Sequence, residues 1–316
     1  MYEIDTDPAT PQNQVDLGTL SALQRYQLAS NTNTPSEVLD QLALDEDWLI
    51  QRSTAKNPST PPDTLAQLAR DKDRDIRWYI TKNPSTLAGA LTHLVNDVDS
   101  SVREGITKNP NTPPKALTQL VRDESLHVRE GVAANLNTPP ETLMRLVVDE
   151  SLTVRMRVAQ NLNTPLEGLT RLAGDKSWEV QQDVAKNHNT DPATLERLAL
   201  SNTWFVRQAV IQNPSASPEL IKAVYEDAVK MGLLNGDFVR SVIQRNVLAP
   251  TELCALLALY GEAIAQTIVN STNIEPGSVL EGQLTSYSFR PASPRVIKST
   301  NSSILSAEAG VSYVRD

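Results

Sequence analysis

The side chains best able to do chemistry recur at one interval. Arg77, Arg103, Arg129 and Arg155 stand 26 residues apart, and Arg207 falls two intervals further on. Asp45, Asp71, Asp97, Asp123, Asp149, Asp175 and Asp227 keep the same interval. Such an arginine row can track a phosphate backbone, or each arginine can pair with a carboxylate. Each arginine has an aspartate six residues upstream or in the neighbouring period, so the spacing favours paired charges. His93, His127 and His188 occupy three different phases of the interval, so they make no row of ligands. Cys254 is the only cysteine, in the apolar run Leu253 to Leu259, and is expected as a buried, inert thiol. There is no Gly-rich phosphate loop and no Cys/His metal spacing. The residues therefore predict no catalytic set, no cofactor and no metal.

What positions these residues is a repeat. Asn31, Asn57, Asn83, Asn109, Asn135, Asn161, Asn187 and Asn213 mark eight periods of 26 residues. With asparagine as position 0, threonine holds +3, proline +4 or +5, leucine +8 and +11, aspartate +14, a β-branched residue +19 and arginine +20. Threonine before proline reads as a helix start, with the hydroxyl capping first-turn amides. Leucines three apart share one face of a first helix, A. Positions +19 and +23 share the buried face of a second, B, as Val128 with Val132 and Val154 with Val158 do. Asparagine bonds turn backbone readily, and stacked at a fixed period it can also bond the adjacent turn.

The pattern N-P-x-T-P-P-x-x-L-x-x-L-x-x-D…V-R-x-x-V-A-x-N resembles the leucine-rich-repeat variant family and is similar to HEAT repeats, over about residues 20 to 225. The resemblance implies an all-α, right-handed α-solenoid of 26-residue helix-turn-helix repeats, α/α or α/3₁₀, with no sheet. A founding type of that family carries a cysteine-ligated iron–sulfur cluster beside its repeats. One cysteine excludes that cluster here.

The chain divides by pattern into a polar segment over 1–17, a capping half-repeat over 18–30 and eight repeats over 31–238, the last with an insertion. Degenerate capping repeats over 239–280 and a Ser-rich tail over 281–316 follow. The acidic start has no apolar signal region, and no stretch reaches membrane-span length. With one cysteine and a net charge of −9, a cytoplasmic protein with no membrane insertion is expected.

Recognition is expected where the copies differ. Position +21, about 200° around helix B from +19, should face solvent. It holds Trp78, Glu104, Glu130, Met156, Gln182 and Gln208, with Tyr79 beside Trp78; +25 holds Lys56, Lys82 and Lys108. Trp78 is either a partner anchor or a packing residue. The leading expectation is a non-enzymatic scaffold that binds a protein or extended peptide through these positions. The alternative is a nucleic-acid-binding or DNA-glycosylase-like HEAT solenoid, with Asp73, Asp75, Arg77, Trp78 and Tyr79 imitating a base pocket. The acidic charge and the lack of a broad basic groove stand against it. A base-excision or chromophore-lyase type of HEAT-like enzyme rests on fold analogy alone.

Overall fold

Helix boundaries follow the repeat phase. The computed structural model describes residues 16–287; the N-terminal polar segment up to residue 15 and the Ser-rich tail beyond residue 287 lie outside the described residues. Helix A is α2 (Ser36–Leu42), α4 (Pro62–Leu68), α6 (Ala88–His93), α8 (Pro114–Leu120), α10 (Pro140–Leu146), α12 (Leu166–Leu172), α14 (Pro192–Ala199) and α16 (Pro218–Lys230). Helix B is α1 (Ala22–Ser30), α3 (Trp48–Lys56), α5 (Arg74–Lys82), α7 (Ser100–Lys108), α9 (Leu126–Ala134), α11 (Leu152–Gln160), α13 (Trp178–Lys186) and α15 (Trp204–Gln212). Both rows are α-helical; α6 alone continues into a 3₁₀ turn, Leu94–Asn96. No strand occurs among the described residues. The fold is an all-α solenoid.

No single period can bury its own apolar face, and stacking does so. Leu117 and Leu120 of α8 and Val128 and Val132 of α9 are at most 3% exposed, and their equivalents along the array at most 5%. B helices pack on B helices in succession from α1 to α15. The Arg–Asp pairs run between periods. Arg25, Arg77, Arg103, Arg129 and Arg155 reach the aspartate twenty residues ahead at 2.6–2.8 Å. Arg77, Arg103, Arg129 and Arg155 also donate to the backbone carbonyl of the aspartate six residues behind. Each of these arginines thus ties two successive A–B turns. Burial pushes the Asp97 and Asp123 carboxyls up, but hydrogen bonds from Arg77 and Arg103, turn amides and the arginine charges outweigh it and hold both below the usual range.

The asparagine row closes the other end of the stack. Asn109 Nδ2 donates to Thr81 O at 2.9 Å and Asn83 O at 3.3 Å, while its Oδ1 accepts from the Asn111 amide. Asn57, Asn83, Asn135, Asn161, Asn187 and Asn213 repeat this set. These acceptors include the otherwise orphaned carbonyls at the end of the preceding B helix. Threonine at +3 does a different job from the expected one. Thr112 Oγ1 donates to Ile106 O at 2.6 Å, and Thr60, Thr86, Thr138, Thr164 and Thr190 do likewise. It caps the carboxyl end of helix B instead of the amino end of helix A. The N-cap of most A helices is a proline, as at Pro61, Pro113 and Pro139, with no side-chain bond.

Two compact units divide between Leu233 and Leu234, within the insertion. Part of the inserted sequence lengthens α16 to 13 residues. The second unit contains α17 (Gly236–Gln244), α18 (Pro250–Tyr260), α19 (Glu262–Ser271) and α20 (Val279–Thr285) around Phe238, Val242, Leu253, Ile264 and Leu280. Helix α20 crosses position 281, where the Ser-rich segment was expected to begin. Cys254 is half-buried on α18 instead of fully buried. No helix among the described residues is long and apolar enough to cross a membrane.

Candidate functional site

The B helices present one continuous stripe built from +18, +21, +22 and +25. Positions three and four apart lie on the same side of a helix. Equal phases on successive helices then set these side chains side by side. The +25 residues Lys56, Lys82, Lys108, Ala134, Gln160, Lys186 and Gln212 are all exposed. The +21 residues Arg52, Trp78, Glu104, Glu130, Met156, Gln182 and Gln208 are half-buried, not solvent-facing as expected. The expected angle describes a lone helix, whereas neighbouring B helices cover both flanks of each one here.

At the start of the stripe Trp78 and Tyr79 meet edge to face, centroids 5.0 Å apart. Lys82 Nζ stands 5.3 Å from the centre of the Trp78 ring, and the Arg52 guanidinium 4.8 Å from that of Trp48. These distances suit cation–π attraction. Trp78 is therefore packed against its own helix, yet is still partly open to solvent.

The middle of the stripe is polar and joined across helices. Glu104 pairs with Lys108 on α7. Arg157 Nε on α11 reaches Glu130 on α9 at 3.0 Å, and its Nη1 donates to Gln160 at 3.1 Å. Gln160 Nε2 donates onward to Asp183 on α13 at 2.8 Å. Asp183 is 7% exposed. Burial pushes its carboxyl up, against the Gln160 hydrogen bond and the charges of Lys186 and Arg157. Gln182 Nε2 makes only a long contact, 3.5 Å, with Phe205 O.

Between α7, α9 and α11 the stripe opens into a groove of about 600 Å³. Its floor is Gly131, Ala134 and Thr107; Glu104, Lys108, His127, Glu130 and Arg157 stand around it. Position +22 makes the floor. It carries Ser53, Tyr79, Gly105, Gly131, Arg157, Asp183 and Ala209 along the array. A Cβ on Gly131 would lie 1.8 Å from Thr107 Oγ1, and one on Gly105 1.9 Å from Thr81 Oγ1. Threonine at +24 therefore requires glycine at +22 of the next period. Where +24 is alanine, as at Ala133 and Ala159, the next +22 is Arg157 or Asp183.

A second opening, about 420 Å³, lies where the Arg–Asp row is interrupted. Gln181 replaces the arginine and Ser201 its aspartate, at a separation of 3.4 Å. Gln181 still donates to Asp175 O at 2.7 Å. Trp178, which stacks on Phe205 at 5.2 Å, and the exposed Leu200 border this space.

Of the residues picked from sequence, Trp78, Tyr79, Lys82 and Lys56 gather on α3 and α5, and Glu104, Lys108 and Glu130 gather at the groove. Met156, Gln182 and Gln208 lie further along the stripe, outside both clusters. Gly131, Ala134, His127, Arg157 and Asp183 were missed. The signal for Gly131, Arg157 and Asp183 was the variability of +22, a phase that reads as buried in a single copy. The three histidines are exposed on separate helices or turns, and no group of three metal-capable side chains occurs among the described residues.

These features define an all-α repeat protein of the solenoid class. At the level of the repeating unit the resemblance is specific: residues 126–151, one whole period from α9 to the turn before α11, match the family described as leucine rich repeat variant. A solved structure described as a leucine-rich repeat variant with a novel repetitive protein structural motif is 26% identical, with a TM-score of 0.49. The similarity covers 62% of this chain and 78% of that one. No curated protein matches the chain.

Proposed function

We propose that the chain is a non-enzymatic scaffold whose helix-B stripe binds an extended segment of a protein partner. The observation that carries this reading is the groove over Gly131 and Ala134. Small residues coincide there on two rows, and the charged side chains around the opening already pair as Glu104–Lys108 and Glu130–Arg157. An apolar floor with a polar rim is the usual anatomy of a recognition surface. Partner side chains can enter the groove without leaving a buried charge unpaired.

Ala134→Trp tests this reading. Position 134 is exposed and carries lysine or glutamine in other periods, so the indole fills the groove without disturbing the core. A partner captured from native cells by the wild-type chain should be lost by Ala134→Trp at an unchanged melting temperature. Full retention would refute the groove as the binding element. A cytoplasmic location fits the single cysteine, and protein or peptide is the partner class the acidic chain suits best.

A further inference from the structure

The stripe is not uniform in how its cations are used. Lys108 is held by Glu104 and Arg157 by Glu130. On α3 and α5, by contrast, Arg52, Lys56 and Lys82 form no ion pair among the described residues. Arg52 and Lys82 lie against tryptophan rings instead, and Lys56 is exposed. The nearby carboxylate on the same face, Asp75, is taken by Arg74 at 3.1 Å. A chain of net charge −9 thus keeps three cations and the Trp78–Tyr79 pair together and unneutralised.

From this we infer that the α3–α5 part of the stripe binds an acidic peptide segment, one whose carboxylates meet Arg52, Lys56 and Lys82 and whose apolar side chains lie on Trp78 and Tyr79. The inference rests on the proposed scaffold reading and names the chemistry of its partner. Geometry supports a short extended segment. Lys56 and Lys82 share one phase on neighbouring helices, which pack roughly 8–10 Å apart. In the polyproline II form of extended chain, three residues span about 9 Å and bring the side chain back to the same side. Carboxylates three residues apart therefore match the two lysines, while Glu104 marks where an acidic segment must end. A long polyanion such as nucleic acid would run on from this patch into Glu104, Glu130 and Asp183, and past Asp73 and Asp99 at the helix starts. A short acidic peptide meets only the cations.

The test is fluorescence anisotropy with three probes on the full chain: a Glu-Leu-Leu-Glu peptide, its Gln-Leu-Leu-Gln counterpart and single-stranded oligothymidine. The glutamate peptide should bind most tightly and weaken as salt rises. The triple variant Arg52→Gln, Lys56→Gln, Lys82→Gln should weaken it roughly tenfold, from three exposed charge pairs. Lys115→Gln, exposed on α8 and off the stripe, should leave it unchanged. Lys56 and Lys82 are exposed and Arg52 is half-buried, and matching melting curves verify folding. Equal binding of the glutamine peptide, or an unaffected triple variant, overturns the acidic-segment inference. Tighter, cation-dependent binding of oligothymidine overturns it in favour of nucleic acid. Capture of the cellular partner lost in Ala134→Trp but kept in the triple variant would leave the scaffold reading standing without this inference. Capture kept in both would remove the scaffold reading itself.

Discussion

Gly131→Ala is the sharpest probe of how the B helices stack. The added methyl carbon would stand 1.8 Å from Thr107 Oγ1 and 2.7 Å from Thr107 Cβ. The threonine hydroxyl is already held by Glu104 O at 2.8 Å, and rotating it away cannot relieve the Cβ contact. Helices α7 and α9 must then move apart. Overpacking of this kind costs about 1–3 kcal/mol, while exchanging a helical glycine for alanine returns about 0.5–1 kcal/mol. The single variant should therefore lose roughly 0.5–2 kcal/mol. Thr107→Ala removes the closest atom. The remaining alanine–alanine pair has a counterpart already present at the same phases, Ala185 with Ala209 of α15. The Cβ contact at 2.7 Å remains in that background, so Gly131→Ala should still cost stability there but less than in the wild-type chain, a coupling of about 1 kcal/mol between the two sites. Urea melts of the four proteins, followed by circular dichroism and compared at equal slope, measure it. An equal midpoint shift for Gly131→Ala in both backgrounds would refute the steric account.

Asn161→Ala removes donors to Ala133 O and Asn135 O and the acceptor for the Asn163 amide, and should cost about 2–3 kcal/mol in a urea melt. A loss below about 0.5 kcal/mol would mean that water replaces the amide. Asp123→Ser leaves the nearly buried Arg103 only the exposed Glu124 and two backbone carbonyls and should cost about 2–3 kcal/mol, whereas Arg103→Gln with Asp123→Ser should cost less, since Gln181 and Ser201 already occupy these phases. Because Asp97 and Asp123 titrate below the unfolded value of about 3.9, their stabilisation is complete above that pH. It is lost as pH falls through the folded values, so melting temperature should drop below about pH 4. Asp183 has the opposite sign. Its folded value is raised, so ionisation costs stability at neutral pH, and Asp183→Asn should melt higher at pH 7 with the gain shrinking in acid. A variant that melts lower at pH 7 would show that Arg157 and Lys186 more than compensate the buried charge.

Recurrence in the sequence showed which residues are structural better than it showed what they touch. Leu117 and Leu120, three apart, read directly as a buried helical face. Asn109 read as a turn residue able to bond the adjacent turn, and it does reach Asn83 O there; its second acceptor, Thr81 O near the end of α5, is brought near by stacking and is not given by spacing. Thr112 precedes two prolines and so matches a helix start. It instead caps α7 because the Asn109 turn, closed by the Thr112 amide on Asn109 O at 3.2 Å, folds it back onto Ile106 O. At the candidate site, Lys82 and Trp78 were legible as variable positions on helix B. Gly131 was not, because a glycine in one helix shows nothing of the threonine it faces in the next.

That difference separates two kinds of variation between the copies. Some phases vary in pairs. Arginine with aspartate becomes Gln181 with Ser201, and threonine with glycine gives way to alanine with a larger residue. Paired change is the mark of contact between the two positions, so it reports packing and has no need of a ligand. The +25 phase is tied less uniformly: Lys108 pairs with Glu104, Gln160 bonds Asp183 and Lys82 lies over Trp78, while Lys56 and Ala134 make no ion pair among the described residues. No hydrogen bond or ion pair among the described residues fixes the identity of Lys56 or Ala134. The proposed binding reading therefore stands or falls on this row, where the groove and the cation–aromatic cluster both lie.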